Sequence, residues 1–271
     1  MKLQYPIRNV LFILLLMVAV TTALGQRTTA SENVSTFILR SPQLNVDKKI
    51  WVYLPHNYST EKKKYPVIYM HDAQNLFDKN TSYSGEWEID ETLDSIKAQV
   101  IVVAIEHGNE KRIDELTPYK NQKHGGGNGD AYLDFLVKTL KPHIDKTYRT
   151  KSNKNNTTIF GSSLGGLISY YALLKYPEVF GKAGVFSPSL WFSDDIYKLT
   201  EQTKKLKSKI YLLAGDSESS EMVSDVNKLE KLIDQKRCSC LKLNKKVIVK
   251  GGQHNEKLWR EQFLNAYLWL D

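Results

Sequence analysis

Gly161-Ser162-Ser163-Leu164-Gly165 sets a serine between two glycines, each two residues away. Small neighbours at that spacing let a chain turn sharply and lift the serine hydroxyl clear of the fold. A serine presented in that way is a nucleophile in waiting. It needs a base, and the base needs a group to orient it. Both are supplied downstream in the order serine, acid, histidine, by Glu218 or Asp216 and then by His254. The chemistry this implies is acyl transfer through a covalent intermediate on Ser163. The plainer alternative is a glycine-rich turn that opens a helix, with a solvated loop histidine far from it.

The flanking elements favour the chemical reading. Residues 156–160 are β-branched and aromatic, as a short buried strand requires. Residues 164–176 carry apolar side chains at Leu164, Leu167, Ile168, Tyr171, Leu173 and Leu174, which predicts a helix. Ser163 therefore sits on a strand-to-helix turn. Residues 209–215 predict a second buried strand, and Asp216 and Glu218 follow it at once. The carboxyl ends of strands are where an open α/β sheet presents functional groups. Glu218 is favoured as the acid, because Asp216 can cap the turn through its own side chain. A last strand at 247–249 leads through Gly251-Gly252-Gln253 to His254, and a helix follows over 256–270.

Upstream, residues 34–40 and 49–54 predict two antiparallel strands, 101–105 a further strand, and 90–96 and 131–144 helices. Strands and helices alternate after about Pro66, with another strand at 183–186. That alternation implies a mostly parallel twisted sheet with helices on both faces, the α/β-hydrolase sandwich, formed by one domain over 34–271. No internal repeat, linker or low-complexity tract interrupts it.

The chain resembles the putative-esterase family, which contains siderophore (enterochelin), feruloyl and acetylxylan esterases and mycolyltransferases. The stretches that carry the resemblance are 67–78, Arg112 with 115–118, 141–145, 148–150, 161–166, 176–180, 187–191 and 254–256, in order from about Ile50 onward. It is most similar to the siderophore-esterase branch. The resemblance implies that Ser163 is the nucleophile, His254 the base and Glu218 the acid, with no cofactor. It also implies two oxyanion-hole amides, one on Leu164 and one in the turn at Asp72-Ala73-Gln74. This chain has Ala73 where the family often has glycine, so the first amide belongs to Ala73 or Gln74.

Substrate contacts are less legible. Trp191 and Phe192 follow a predicted strand and either stack on a substrate ring or fill the rim of the core. Asn75 and Arg112 either position a polar or anionic substrate or, for Arg112, pair internally with Glu115. Residues 107–130 contain Gly125-Gly126-Gly127 and little apolar periodicity, which points to a lid, a binding loop or disorder.

Lys2 and Arg8 precede an apolar run over 10–20 and then small residues up to Gly25. This is the pattern of a signal peptide over 1–25, followed by a polar tail over 26–33, and it predicts a secreted or periplasmic protein. The apolar run is too short for a stable membrane span. Its removal lowers the formal charge from +8 to +6, because Lys2 and Arg8 leave with it. That balance mildly favours anionic partners, although scattered lysines on a solvated face explain it equally well. Nothing resembles a nucleic-acid motif or zinc-ligand spacing. Cys238 and Cys240 either close a strained bridge over one residue or remain thiols. The sequons at Asn33, Asn57, Asn80, Asn155 and Asn156 count only in a glycosylating host.

The expected protein is thus a secreted serine esterase acting on a small-molecule or carbohydrate-linked ester, such as a siderophore or a phenolic or acetyl ester. An acyltransferase of the same fold and a non-catalytic binding protein are the alternatives.

Overall fold

Short apolar runs, buried along their whole length in the central strands, build one eight-stranded sheet in the computed structural model, which describes residues 28–237 and 243–271. The predicted leader and Cys238 and Cys240 lie outside the described residues. The strands are β1 (Val34–Ser41), β2 (Val46–Tyr53), β3 (Val67–His71), β4 (Ile101–Ile105), β5 (Thr157–Ser162), β6 (Lys182–Phe186), β7 (Lys209–Gly215) and β8 (Asn244–Val249). Their spatial order is β1-β2-β4-β3-β5-β6-β7-β8. The β1–β2 and β2–β4 pairs are antiparallel, and every pair from β4 onward is parallel. This is the expected α/β-hydrolase sandwich.

Alternate side chains feed two apolar layers. Val67, Tyr69 and Ile159 face one layer, while Ile68, Met70 and Phe160 face the other. On the first side lie α3 (Gly129–Phe135), α4 (Lys141–Thr147), α5 (Leu164–Lys175), α6 (Asp195–Gln202) and α7 (Met222–Gln235). On the second lie α1 (Ile89–Ser95) and α8 (Glu256–Leu270). Helices α3 and α4 are joined by a π-helical turn, Leu136–Leu140, where a plain α-helix is expected from the sequence. Pro142 stands in the first turn of α4 and has no N–H to return to the preceding turn, so the backbone widens there.

The glycine-rich stretch at 107–130 has a fixed structure of its own. It contains α2 (Arg112–Leu116), and Asn121 and Gly125 exchange backbone hydrogen bonds of 2.7 and 2.9 Å. Gly125, Gly126 and Gly127 all have positive φ, which explains three glycines in a row. Glu115 anchors the segment, but its partner is not Arg112. Its carboxylate meets Lys48 of β2 at 2.6 Å, with both side chains almost fully buried, and accepts the Gly108 amide. Arg112 turns instead to Asp72. Helix neighbours three residues apart have been separated by stronger long-range partners.

The start of the described chain docks on acidic side chains. Thr28 and Thr29 bond Asp78, the Ser31 amide donates to Asp90 at 2.7 Å, and Asn33 donates to Asp94. Beside them Glu86, Asp90 and Glu91 bring carboxylate oxygens within 4.8 Å of one another, the one such group of metal-ligating type among the described residues. Burial, reinforced by neighbouring carboxylates, pushes the Glu86 carboxyl up to about 7, and Asp90 and Glu91 move the same way. Between the ordinary glutamate value of 4.5 and about 7, the folded chain holds a proton on Glu86 that the unfolded chain has lost. Stability from this group is therefore present at low pH and declines as pH rises through that window. Glu86→Gln mimics the protonated state. It should raise the melting temperature at about pH 8 and leave it nearly unchanged at about pH 4. Parallel melting curves across pH for the two proteins would refute this assignment.

Candidate active site

The five strand ends from β3 and β5 through β8 carry the candidate groups, and the Ser163 turn follows β5. Ser163 has φ 57° and ψ −122°, a backbone conformation that costs a non-glycine residue energy. Its amide donates to the Phe186 carbonyl at 3.0 Å, which locks the turn to β6. A Cβ at Gly161 would lie 2.8 Å from the Gly165 backbone, and one at Gly166 would lie 2.6 Å from the Phe186 carbonyl oxygen. The turn therefore needs glycine on both sides. Helix α5 starts at Leu164, whose first-turn amide has no intrahelical carbonyl to bond. The Ser163 hydroxyl lies 3.2 Å from the Ser189 hydroxyl, and it is engaged there rather than with an imidazole.

Glu218, three residues past β7, has a side chain only 1% exposed. One carboxylate oxygen, Oε1, accepts from the Gly215 amide and from the Ser187 hydroxyl, the latter at 2.7 Å. The other, Oε2, lies 2.6 Å from His254 Nδ1. Asp216 is exposed and caps turns instead, accepting from Ser217 and from the Gly251 amide. Of the two acids weighed in the sequence, Glu218 is thus the one in contact with His254. Gly215 and Gly252 pack backbone to backbone, where a Cβ on Gly215 would come within 2.1 Å of the Gly252 carbonyl oxygen. This contact holds the His254 loop against the end of β7. The His254 ring stands edge to face with Trp259, 5.1 Å between centroids and 87° between planes.

At the end of β3, Asp72 is left-handed (φ 58°, ψ 46°) and opens the single turn Ala73–Asn75. Arg112 grips Asp72 with two hydrogen bonds, Nε to Oδ1 at 2.7 Å and Nη2 to Oδ2 at 2.9 Å. Burial works to raise the Asp72 carboxyl, and the guanidinium overrides it and holds it below the usual aspartate range. Gln74 clasps the His107 backbone in both directions, at 3.1 and 3.2 Å. Beneath the turn His71 is fully enclosed. Burial pushes its imidazole down to about 4, so it is neutral, and Nδ1 meets the Tyr132 hydroxyl at 2.7 Å.

Ser163, His254, Asp72, Gln74, Asn75 and Arg112 share one cleft of about 770 Å³. Trp87, Trp259, His107, Glu256 and the exposed Tyr83 complete its wall. Trp191 and Phe192 are elsewhere. Phe192 is a core residue, 2% exposed, packed against the Gly126 turn, and its carbonyl accepts from Asn121. Trp191 is 58% exposed and rests edge to face on His124. The expected aromatic rim is built by Tyr83, Trp87 and Trp259 in their place. Ser187, Ser189 and Trp259 were not singled out for the site, although the stretch from Ser187 through Trp191 was legible as a unit.

The pattern of the family described as Putative esterase matches residues 41–270. The chain is similar to YbbA of Bacillus subtilis (strain 168), an uncharacterized protein, at 28% identity over 247 residues, 83% of this chain and 92% of that one. It is also similar to the ferri-bacillibactin esterase BesA of Bacillus subtilis (strain 168), at 30% identity over 178 residues, 57% of this chain and 60% of BesA. Among solved structures, the BES protein from Bacillus cereus aligns with a TM-score of 0.73 and 19% identity, covering 93% of this chain and 99% of that one. The enterobactin esterase FES from Shigella flexneri, in the presence of enterobactin, aligns with a TM-score of 0.70 and 16% identity, over 90% of this chain and 60% of FES. At those identities the structures attest the fold. The chain belongs to the Putative esterase family and is a carboxylic-ester hydrolase.

Proposed function

We propose that this protein is a secreted serine esterase that works through an acyl-enzyme on Ser163. The observation that carries the reading is the buried Glu218 carboxylate, 2.6 Å from His254 Nδ1, in the cleft that also holds Ser163. Attack requires the Ser163 hydroxyl to leave Ser189 and turn to His254 Nε2; such contacts are often open in the absence of substrate. The Ser163 oxygen then bonds to the ester carbonyl carbon while its proton passes to Nε2. The oxyanion is met by the Leu164 amide and by an amide of the Ala73–Gln74 turn, each such donor contributing about 3 kcal/mol. Collapse breaks the ester C–O bond, and the imidazolium returns its proton to the departing alcohol. Water repeats the sequence on the acyl-enzyme and releases the acid. With the His254 side chain 36% exposed, water has ready access to the base, which favours hydrolysis over transfer to a second alcohol.

For the substrate, the reading favours an ester bearing a phenolic or catechol ring, as in siderophores and feruloyl esters. Tyr83, 94% exposed, offers a ring, the largely buried Trp87 and Trp259 add apolar wall, and Asn75 offers polar contacts beside them. Relatives with these printed activities include a ferri-bacillibactin esterase, a siderophore enterobactin esterase and an endo-1,4-beta-xylanase/feruloyl esterase.

Three outcomes are expected. Ser163→Ala should lower the turnover of a p-nitrophenyl ester by roughly 10⁴-fold or more while leaving the melting curve unchanged, and the covalent acyl adduct seen by mass spectrometry should disappear with it. An unaltered rate would exclude Ser163 as nucleophile. Glu218→Gln should reduce kcat by about 10³- to 10⁴-fold, whereas Asp216→Asn should cost far less, since that carboxylate only caps turns. Equal losses from the two changes would mean that Glu218 has no special tie to the base. Finally, N-terminal sequencing of protein recovered from the producing cell's medium or periplasm should start at Gln26. An intact Met1 on the recovered protein would rule out cleavage after Gly25.

A further inference from the structure

Trp259, Ser187, Glu218 and His254 form a chain of hydrogen bonds in which each donor is fixed by the one before it. An indole N–H can only donate. Ser187 Oγ, fully buried, therefore accepts from Trp259 Nε1 at 2.9 Å. A hydroxyl has a single proton, and the lone-pair side of Ser187 is taken by the indole. Its proton is thereby aimed at Glu218 Oε1, 2.7 Å away. The same oxygen accepts the Gly215 amide, so Oε1 is an acceptor twice over. Oε2 is left to accept from His254 Nδ1. The neutral imidazole then carries its proton on Nδ1 and offers an unprotonated Nε2.

We infer that Trp259 and Ser187 are positioning residues that set the tautomer of His254 through Glu218, an inference that rests on the reading of His254 as the base. Backbone geometry supports the assignment. Ser187 is held left-handed at φ 42°, and its amide donates to the Leu213 carbonyl at 2.6 Å. This aims a short side chain between two groups that lie 41 residues apart in sequence, Glu218 and Trp259. The neighbouring Ser189 hydroxyl meets Ser163, so one short loop after β6 touches both the nucleophile and the acid.

The test uses the full-length mature chain with Trp259→Phe, Ser187→Gly and both together. Phenylalanine keeps an aromatic ring in the wall and removes the donor together with the pyrrole ring. Glycine suits the left-handed position and removes the hydroxyl together with its methylene. Two quantities are read: kcat and KM on a p-nitrophenyl ester, and the ¹⁵N imidazole spectrum of histidine-labelled protein, with His254 assigned by its loss in His254→Gln. Each single change should lower kcat about tenfold with KM held within about twofold. Each should also shift His254 away from the Nδ1–H form that the wild type shows. The double variant should be no slower than Ser187→Gly alone, because the indole donor acts through that hydroxyl. Wild-type kcat and an unchanged Nδ1–H spectrum in Trp259→Phe would overturn the inference, as would multiplicative losses in the double variant. The imidazole spectrum reports on these hydrogen bonds whether or not turnover depends on Ser163. Failure of the nucleophile reading would therefore appear in Ser163→Ala alone.

Discussion

Backbone strain at the carboxyl edge of the sheet is the constraint on which this site depends. Three neighbouring parallel strands, β3, β5 and β6, are each followed by a non-glycine residue with positive φ: Asp72 at 58°, Ser163 at 57° and Ser187 at 42°. Such conformations cost on the order of 1–3 kcal/mol each and persist only where the surroundings over-determine them. Here the surroundings are specific. Asp72 is held by the Arg112 fork, Ser163 by the Phe186 carbonyl and Ser187 by the Leu213 carbonyl. The strain turns each side chain or amide out of the sheet and toward one cleft.

The consequence is a site laid out strand by strand. The Ala73–Gln74 turn follows β3, Ser163 follows β5, Ser187 and Ser189 follow β6, Glu218 follows β7, and His254 follows β8. Each group is set by the end of a buried strand whose register is fixed on both sides, except for β8 at the sheet edge. That exception has its own restraint. The Gly215–Gly252 contact and the Asp216 cap on Gly251 tie the last loop back to β7. Most positional precision therefore comes from sheet hydrogen bonding, and side-chain contacts matter chiefly for the imidazole, on the loop after the edge strand.

This layout explains what the sequence disclosed. Ser163 is flanked by glycines that the turn cannot do without, and Glu218 and His254 follow turn residues just past a buried strand and a half-buried edge strand, so each carries a punctuation mark that survives without the fold. The strands were legible because their apolar runs are short and their turns abrupt. Other features left no such mark. Whether an aromatic lies in a core or on a cleft wall depends on tertiary packing, and so Trp191 and Phe192 stood out while Trp259, inside a helix pattern, did not. The Arg112–Glu115 spacing suggested a local pair, yet Lys48 from β2 and Asp72 from β3 claim the two side chains. Long-range partners of this kind cannot be read from spacing. The same holds for the glycine-rich stretch at 107–130, whose order comes from Glu115 and from backbone bonds between its own residues.

Charge follows the same logic of local partners overriding composition. The chain carries a formal +8, which on its own suggests affinity for anions. The cleft does not inherit that excess. Its one arginine is committed to Asp72 by two hydrogen bonds, and burial keeps His71 neutral and lowers the basicity of His107. Glu256, buried in the same wall, has its carboxyl pushed upward by desolvation, which disfavours its charged form as well. Desolvation thus works against charge on His71, His107 and Glu256, and the Asp72–Arg112 pair beside them is internally balanced. A substrate's net charge acts mainly during approach, where the distant lysines are screened by salt within about 10 Å.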